Sequence, residues 1–204
     1  MIHEFFTSMV YQSKVFSRQN HGLNADLLKE SLKIQEIDQA GQAWSRKNYV
    51  KGFTSYGSMC ELHRFSSTFG ELELGIRKHV QKYVKSLEYD VQKGELQMST
   101  CWVNIMPPGA LHSMHIHPLS VVSGTYYLQV PPKASSIKFE DPRLQAFMAC
   151  PPRKRGASRK NQAFVSVAPK VGDVVLFESW MRHEVPPNQS EKPRISISFN
   201  YDWV

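Results

Sequence analysis

The spacing of apolar positions changes near residue 95. Upstream, two stretches repeat apolar residues at a helical period. In GLNADLLKESLKIQEIDQA (22–40), Leu23, Leu27, Leu28, Leu32, Ile34 and Ile37 fall near a 3.6-residue spacing, with Asn24 as the expected N-cap and Gly41 as the stop. In GELELGIRKHVQKYVKSLE (70–88), Leu72, Ile76, Val80, Tyr83, Val84 and Leu87 share one face, and Lys78 and His79 point to solvent. The intervening AWSRKNYVKGFTSYGSM reads as loop with short extended pieces. Downstream, LQMSTCWVNIM, SVVSGTYYLQV, SSIKFED, AFVSVAP, GDVVLFES and RISISFNYDW are short, β-branched or aromatic, and divided by Pro/Gly turns. Helices followed by six or more strands predict an α+β, mainly β fold: a β-sandwich or jelly roll with N-terminal helices packed on one sheet.

Composition narrows this little. With 204 residues, 41% hydrophobic and 21% charged, the chain suits one folded domain, residues 1–94 supporting a core at 95–204. No run approaches the roughly 20 apolar residues of a membrane span. The first residues, MIHEFFTSMVYQSK, lack the charged and apolar regions of a secretion signal. Cys60, Cys101 and Cys150 form no C-x-x-C pair and read as free thiols in a reducing compartment, the cytoplasm. Much of the +7 net charge sits in PPRKRGASRKN (151–161), first of all a solvated mobile loop. No aromatic residue interleaves with Arg153, Lys154, Arg155, Arg159 and Lys160, which argues against nucleic acid as a partner.

Chemistry enters with LHSMHIHPLSVVSGTYYL (111–128). On a strand, His115 and His117 project to the same face, forming an imidazole clamp. His183 follows a further strand, and a jelly roll can bring distant strand ends together. Arg194 opens RISISFN, where Arg194, Ser196 and Ser198 share a face suited to gripping a carboxylate. His112 lies off the i, i+2 face and reads as a solvated loop residue. Gly124 suggests a bend or close approach, Gly172–Asp173 a hairpin turn and Trp180 a packing wall. Ser120 and Ser123 read first as turn hydrogen-bonders.

Three blocks carry a resemblance: HIHPLSVVSGTYYL (115–128), GDVVLFESWMRHEVPPN (172–188) and RISISFN (194–200), with WVNIMPPGALHSMH (102–115) leading in. Over about residues 100–204 the chain resembles the iron(II)/2-oxoglutarate-dependent dioxygenase superfamily, and within it an oxygenase family of prolyl-hydroxylase-like fold. The resemblance implies a double-stranded β-helix and an enzyme that uses Fe(II), 2-oxoglutarate and O2 to hydroxylate a peptide side chain, prolyl or other, or a small molecule. It implies iron ligation by His115 and His183, and carboxylate binding by Arg194 with Ser196. Tyr126 or Tyr127 would add a phenol; alternation turns only one inward, and Tyr127 is favoured. Asn104 would contact co-substrate or substrate. One departure is plain. His117 stands where the superfamily usually carries Asp or Glu, giving a three-histidine set. Asp141 and Glu184 rank below His117 as the third ligand. Two other readings remain from the residues alone: a non-catalytic β-sandwich metal-binding module, and a cupin-type three-histidine dioxygenase without 2-oxoglutarate.

Overall fold

The computed structural model describes residues 1–16 and 21–204. In chain order the elements are β1 (Val10–Lys14), α1 (His21–Ile37), α2 (Gln39–Asn48), β2 (Phe53–Thr54), α3 (Leu62–Phe65), α4 (Ser67–Ser86), β3 (Leu96–Met106), β4 (His112–His115), β5 (Val122–Gln129), β6 (Ile137–Glu140), β7 (Phe164–Val167), β8 (Asp173–Glu178), β9 (His183–Val185) and β10 (Arg194–Trp203). A six-stranded sheet runs β1-β8-β5-β10-β3-β2, and a four-stranded sheet runs β4-β9-β6-β7. Two sheets of antiparallel strands with helices against the larger one make the expected double-stranded β-helix.

All six expected strands form, and four more join them. β1 and β2 come from the N-terminal half: β1 pairs along β8, and β2 pairs with β3. The first 94 residues therefore supply sheet edges as well as helices. β2 is one of the short extended pieces expected between the helices; β1, whose VYQSK has no apolar alternation, was not expected.

The helices also differ from expectation. The first ends at Ile37, and Asp38 caps α2 through its side chain and the Gly41 N–H. Gly41 thus sits in the first turn of the next helix. Asn24 lies inside α1, where its amide donates to Leu128 O and accepts from the Tyr126 hydroxyl. The buried stripe of α1 passes through Leu23, Leu27, Ser31 and Ile34, while Leu32 and Ile37 are exposed. In α4, Ser66 caps the helix, and Phe69, Leu72, Ile76, Val80, Tyr83 and Val84 are buried as one face. His79 is half-buried rather than solvated, with Tyr11 Oη at 2.8 Å from its Nδ1.

Strand alternation sorts β10 into two environments. Ile195, Ile197, Phe199 and Tyr201 join a core with Leu27, Phe69, Leu72 and Ile76 between the large sheet and the helices. Each such side chain contributes about 1.5–3 kcal/mol on burial. Arg194, Ser196, Ser198 and Asn200 face the other way and are also buried. That inner face meets the small sheet, where Tyr127, Ile137, Phe139, Val175, Phe177 and Met181 form a second core. Gly124 marks a close approach on the helix side: a Cβ there would lie 2.5 Å from Phe199 Cζ and 2.7 Å from Leu176 Cδ2.

Candidate metal centre and the adjoining polar pocket

Two short strands of the small sheet carry the histidines inward. β4 and β9 pair with His115 opposite His183, and β9 pairs onward to β6 with His183 opposite Phe139. His117 lies just beyond β4, where its N–H donates to Ser179 O at 3.0 Å. Each of the three rings offers a ligand atom, and these atoms lie within 4.8 Å of one another. Nε2 of His115 is 3.2 Å from Nε2 of His117.

Each ring is held from behind. Nδ1 of His115 is 2.7 Å from Ser113 O, and Nδ1 of His183 is 2.9 Å from Met181 O. A carbonyl only accepts, so both Nδ1 atoms carry hydrogen and both Nε2 lone pairs face the cluster. Nδ1 of His117 is 2.6 Å from Asn200 Oδ1 and 2.8 Å from Ser123 Oγ. Burial disfavours the charged form of all three rings. It pushes His183 down to about 2 and His117 to about 4, and it lowers His115. Neutral imidazoles with convergent lone pairs are what a divalent cation needs.

The remaining candidates behave differently. His112 lies in β4, half-buried, stacked on His115 at 4.2 Å between centroids and tilted against Tyr49 at 5.2 Å. It is not the solvated loop residue expected, since the strand extends back over it. Asp141 is tied to Arg143 through three hydrogen bonds, and Glu184 to Lys138 at 2.8 Å. No carboxylate joins the convergent cluster among the described residues. Trp180 is exposed on the turn between β8 and β9, not a packing wall. Trp102 takes a wall position instead, buried with its ring 6.0 Å from His117 and 4.9 Å from the exposed Tyr56. Gly172 has φ +80° in the turn before β8, but the turn is not the hairpin expected, because β7 belongs to the small sheet and β8 to the large one.

A second polar region lies along the inner face of β10. Arg194 is only 2% exposed. Its guanidinium stands 4.9 Å from the Tyr127 ring centroid and contacts Ser196 Oγ and Met106 Sδ at 3.4 Å. Tyr127 is the inward tyrosine of its pair, since Tyr126 reaches to α1. Asn104 donates to Ser198 Oγ at 3.0 Å. Several buried polar atoms here have no partner: Arg194 Nε, Tyr127 Oη, Asn104 Oδ1 and Tyr49 Oη. Unpaired buried groups are costly, and a buried guanidinium without a counter-ion most of all. A carboxylate-bearing ligand matches the three donors among them, Arg194 Nε, Tyr127 Oη and Tyr49 Oη, while Asn104 Oδ1 only accepts. Tyr49 was missed in the sequence because it closes a helix read there as loop. Asn200 was within reach, two residues past Ser198 on the same alternating face.

A double-stranded β-helix thus brings three convergent histidines and a buried arginine without a counter-ion onto its inner face. The chain matches, over residues 100–200, the family described as "Putative 2OG-Fe(II) oxygenase". It is thus an enzyme that uses iron(II) and, as co-substrates, 2-oxoglutarate and O2. Solved structures agree on the fold. The epimerase SnoN, in complex with Fe3+, alpha ketoglutarate and nogalamycin RO, is 15% identical, with 96% of this chain and 79% of that chain covered at TM-score 0.63. HygX from Streptomyces hygroscopicus, with nickel, 2-oxoglutarate and hygromycin B bound, is 14% identical over 96% and 83% at TM-score 0.62. A Pseudomonas putida prolyl-4-hydroxylase is 14% identical over 96% and 93% at TM-score 0.58. None of the curated proteins matches this chain. No described helix is long and apolar enough to cross a membrane.

Proposed function

We propose that His115, His117 and His183 hold Fe(II) through Nε2, and that Arg194 binds the distal carboxylate of 2-oxoglutarate, with Ser196, Tyr127, Asn104 and Tyr49 lining its site. The observation that carries this is the convergence of three imidazoles beside a buried, unpaired guanidinium. When bound, the metal and 2-oxoglutarate supply O2 activation coupled to oxidative decarboxylation, and so the hydroxylation of a substrate C–H bond. The chain's own work is to hold that chemistry in place. Imidazole rings braced at Nδ1 keep their lone pairs aimed without reorganisation. Arg194 offers a planar fork of donors, and burial strengthens its pairing with an anion. The Tyr127 and Tyr49 phenols stay protonated, because burial pushes both well up, and so remain donors. Trp102 and Phe177 wall the histidines from solvent.

A binding module without turnover, or a cupin-type dioxygenase without 2-oxoglutarate, leaves Arg194 without a partner and is disfavoured for that reason. The substrate is a peptide side chain or a small molecule. The basic 151–161 segment follows β6, whose Phe139 faces His183, and favours an acidic partner at the mouth. Neutralising Arg153, Lys154, Arg155, Arg159 and Lys160 should weaken substrate binding; unchanged kinetics would dismiss that role. Three unpaired cysteines support a reducing compartment, the cytoplasm. The test of the core proposal is anaerobic addition of Fe(II) and 2-oxoglutarate, which should produce a weak charge-transfer band. Arg194→Ala should lose the band and keep the iron. A band that survives in Arg194→Ala removes the co-substrate assignment.

A further inference from the structure

The three histidines are not braced alike. His115 and His183 each use the main-chain carbonyl two residues earlier, so the strand itself supplies the acceptor. His117, in the position where the superfamily usually has a carboxylate, depends on side chains instead: Asn200, 83 residues away, and Ser123, whose Oγ lies 2.8 Å from the same nitrogen. Asn200 Oδ1 lies 2.6 Å from His117 Nδ1 and also accepts from Ser123 Oγ at 2.8 Å. At its other end, Asn200 Nδ2 donates to Thr100 Oγ1 at 3.0 Å. Ser123 is in turn 2.7 Å from Ser179 Oγ. The amide is gripped on both sides, with its oxygen toward the imidazole.

We infer that Asn200, oriented by Thr100 and Ser123, is a positioning residue that fixes His117 as the Nδ1–H tautomer and turns its Nε2 toward the metal. This rests on the reading of His115, His117 and His183 as ligands. The chemistry follows from the acceptor. An amide oxygen cannot donate, so the shared hydrogen must sit on His117 Nδ1. A neutral imidazole carries one such hydrogen, which leaves Nε2 bare. Were the ring to take the opposite tautomer, the Ser123 hydroxyl could turn to donate to Nδ1, but Nδ1 would still meet Asn200 Oδ1 lone pair to lone pair at 2.6 Å, and Nε2–H would point into the cluster. Asn200 is thus what makes a histidine usable where a carboxylate would need no such control. It lies six positions after Arg194 on the same face of β10, so one strand would serve the co-substrate at one end and the third ligand at the other.

Two measurements decide it. Long-range 1H–15N spectra of the Zn(II)-loaded wild type should show His117 with hydrogen on Nδ1 and metal on Nε2; the reverse assignment overturns the proposal without any variant. Co(II) affinity, measured by competition and by its visible spectrum with no 2-oxoglutarate present, should then fall about 10–100-fold in Asn200→Leu. Asn200→Asp, which restores an acceptor, should recover it to within a few-fold. Asn200→Leu binding Co(II) within twofold of wild type, in a protein whose circular dichroism is unchanged, overturns the inference. His183→Ala separates the two levels. If it abolishes Co(II) binding while Asn200→Leu does not, only the role of Asn200 falls. If it leaves Co(II) binding intact, the ligand set itself is wrong and Asn200 falls with it.

Discussion

Two polar regions share the inside of this β-helix, and they differ in how their hydrogen bonds are closed. At the histidine end, each Nδ1 has an oxygen behind it. The rings face inward with bare nitrogens, and all that the geometry asks for is a cation. At the arginine end, the donors are turned inward without partners: Arg194 Nε and the Tyr127 and Tyr49 phenols, with the Asn104 Oδ1 acceptor beside them. The first region is rigidly complete on its protein side. The second is complete only with an anion in it. On the reading proposed above, the metal site is recognised by satisfied outer atoms, and the co-substrate site by unsatisfied inner ones.

The largest effect that would break this comparison is at the histidines. His115→Ala or His183→Ala should lower Fe(II) or Co(II) affinity by more than about 100-fold, beyond the loss expected for removing an outer partner. Equilibrium dialysis checks this. Arg194→Met should do something different at the other end. It should cost on the order of 2–5 kcal/mol of 2-oxoglutarate affinity, by isothermal titration, with metal binding kept. Without co-substrate the same variant should be as stable as wild type or more so, because an unpaired buried charge has gone. A wild type clearly more stable than Arg194→Met in the absence of 2-oxoglutarate would mean that the arginine end is already satisfied.

A graded effect of pH should sharpen the contrast. The folded-state His183, His117 and His112 are pushed down to about 2, 4 and 3 by burial, below the usual value near 6.5. As pH falls through 6.5, the unfolded chain takes up protons that the folded one refuses, so stability falls with it. The loss should proceed from about pH 6.5 toward the folded values, read by urea denaturation of the metal-free protein. His183→Ala should flatten that slope, and Arg194→Met should leave it largely in place. A smaller and unselective change is expected at Gly124, which lies on the helix side of the sheet and belongs to neither region. Gly124→Ala should destabilise by about 1–3 kcal/mol, with the ratio of metal to co-substrate affinity unchanged.

Much of this was legible before folding was considered. The strand runs at 96–106 and 194–203 appear with those bounds. H-x-H, His183 and the Arg-x-Ser face are local patterns that strand alternation carries into three dimensions. The misses share a cause. β1 is mostly polar and β9 has only three residues, and they exist because a neighbouring strand offers hydrogen bonds. α2 is short and polar, and in the sequence it resembles loop; its buried residues are Gly41 and Ser45. Leu32 was expected inward by its type, yet the packing geometry chose Ser31. Trp180 and His112 exchanged expected environments because burial depends on which strand lies alongside, and no local pattern records that.

The sequence by itself determined which residue types were available at which alternation: imidazoles two apart, a late histidine, and a cation with hydroxyls and an amide on one strand face. Those are matters of spacing, and a strand of period two converts spacing into direction. Only the tertiary structure decided that β4 and β9 should pair with His115 opposite His183, and that Asn200 should stand behind His117. It alone left Arg194 buried without a counter-ion. The physical reason is that tautomer, desolvation and unmet hydrogen bonds belong to neighbours in space, and those neighbours come from segments 83, 88 and 100 residues apart.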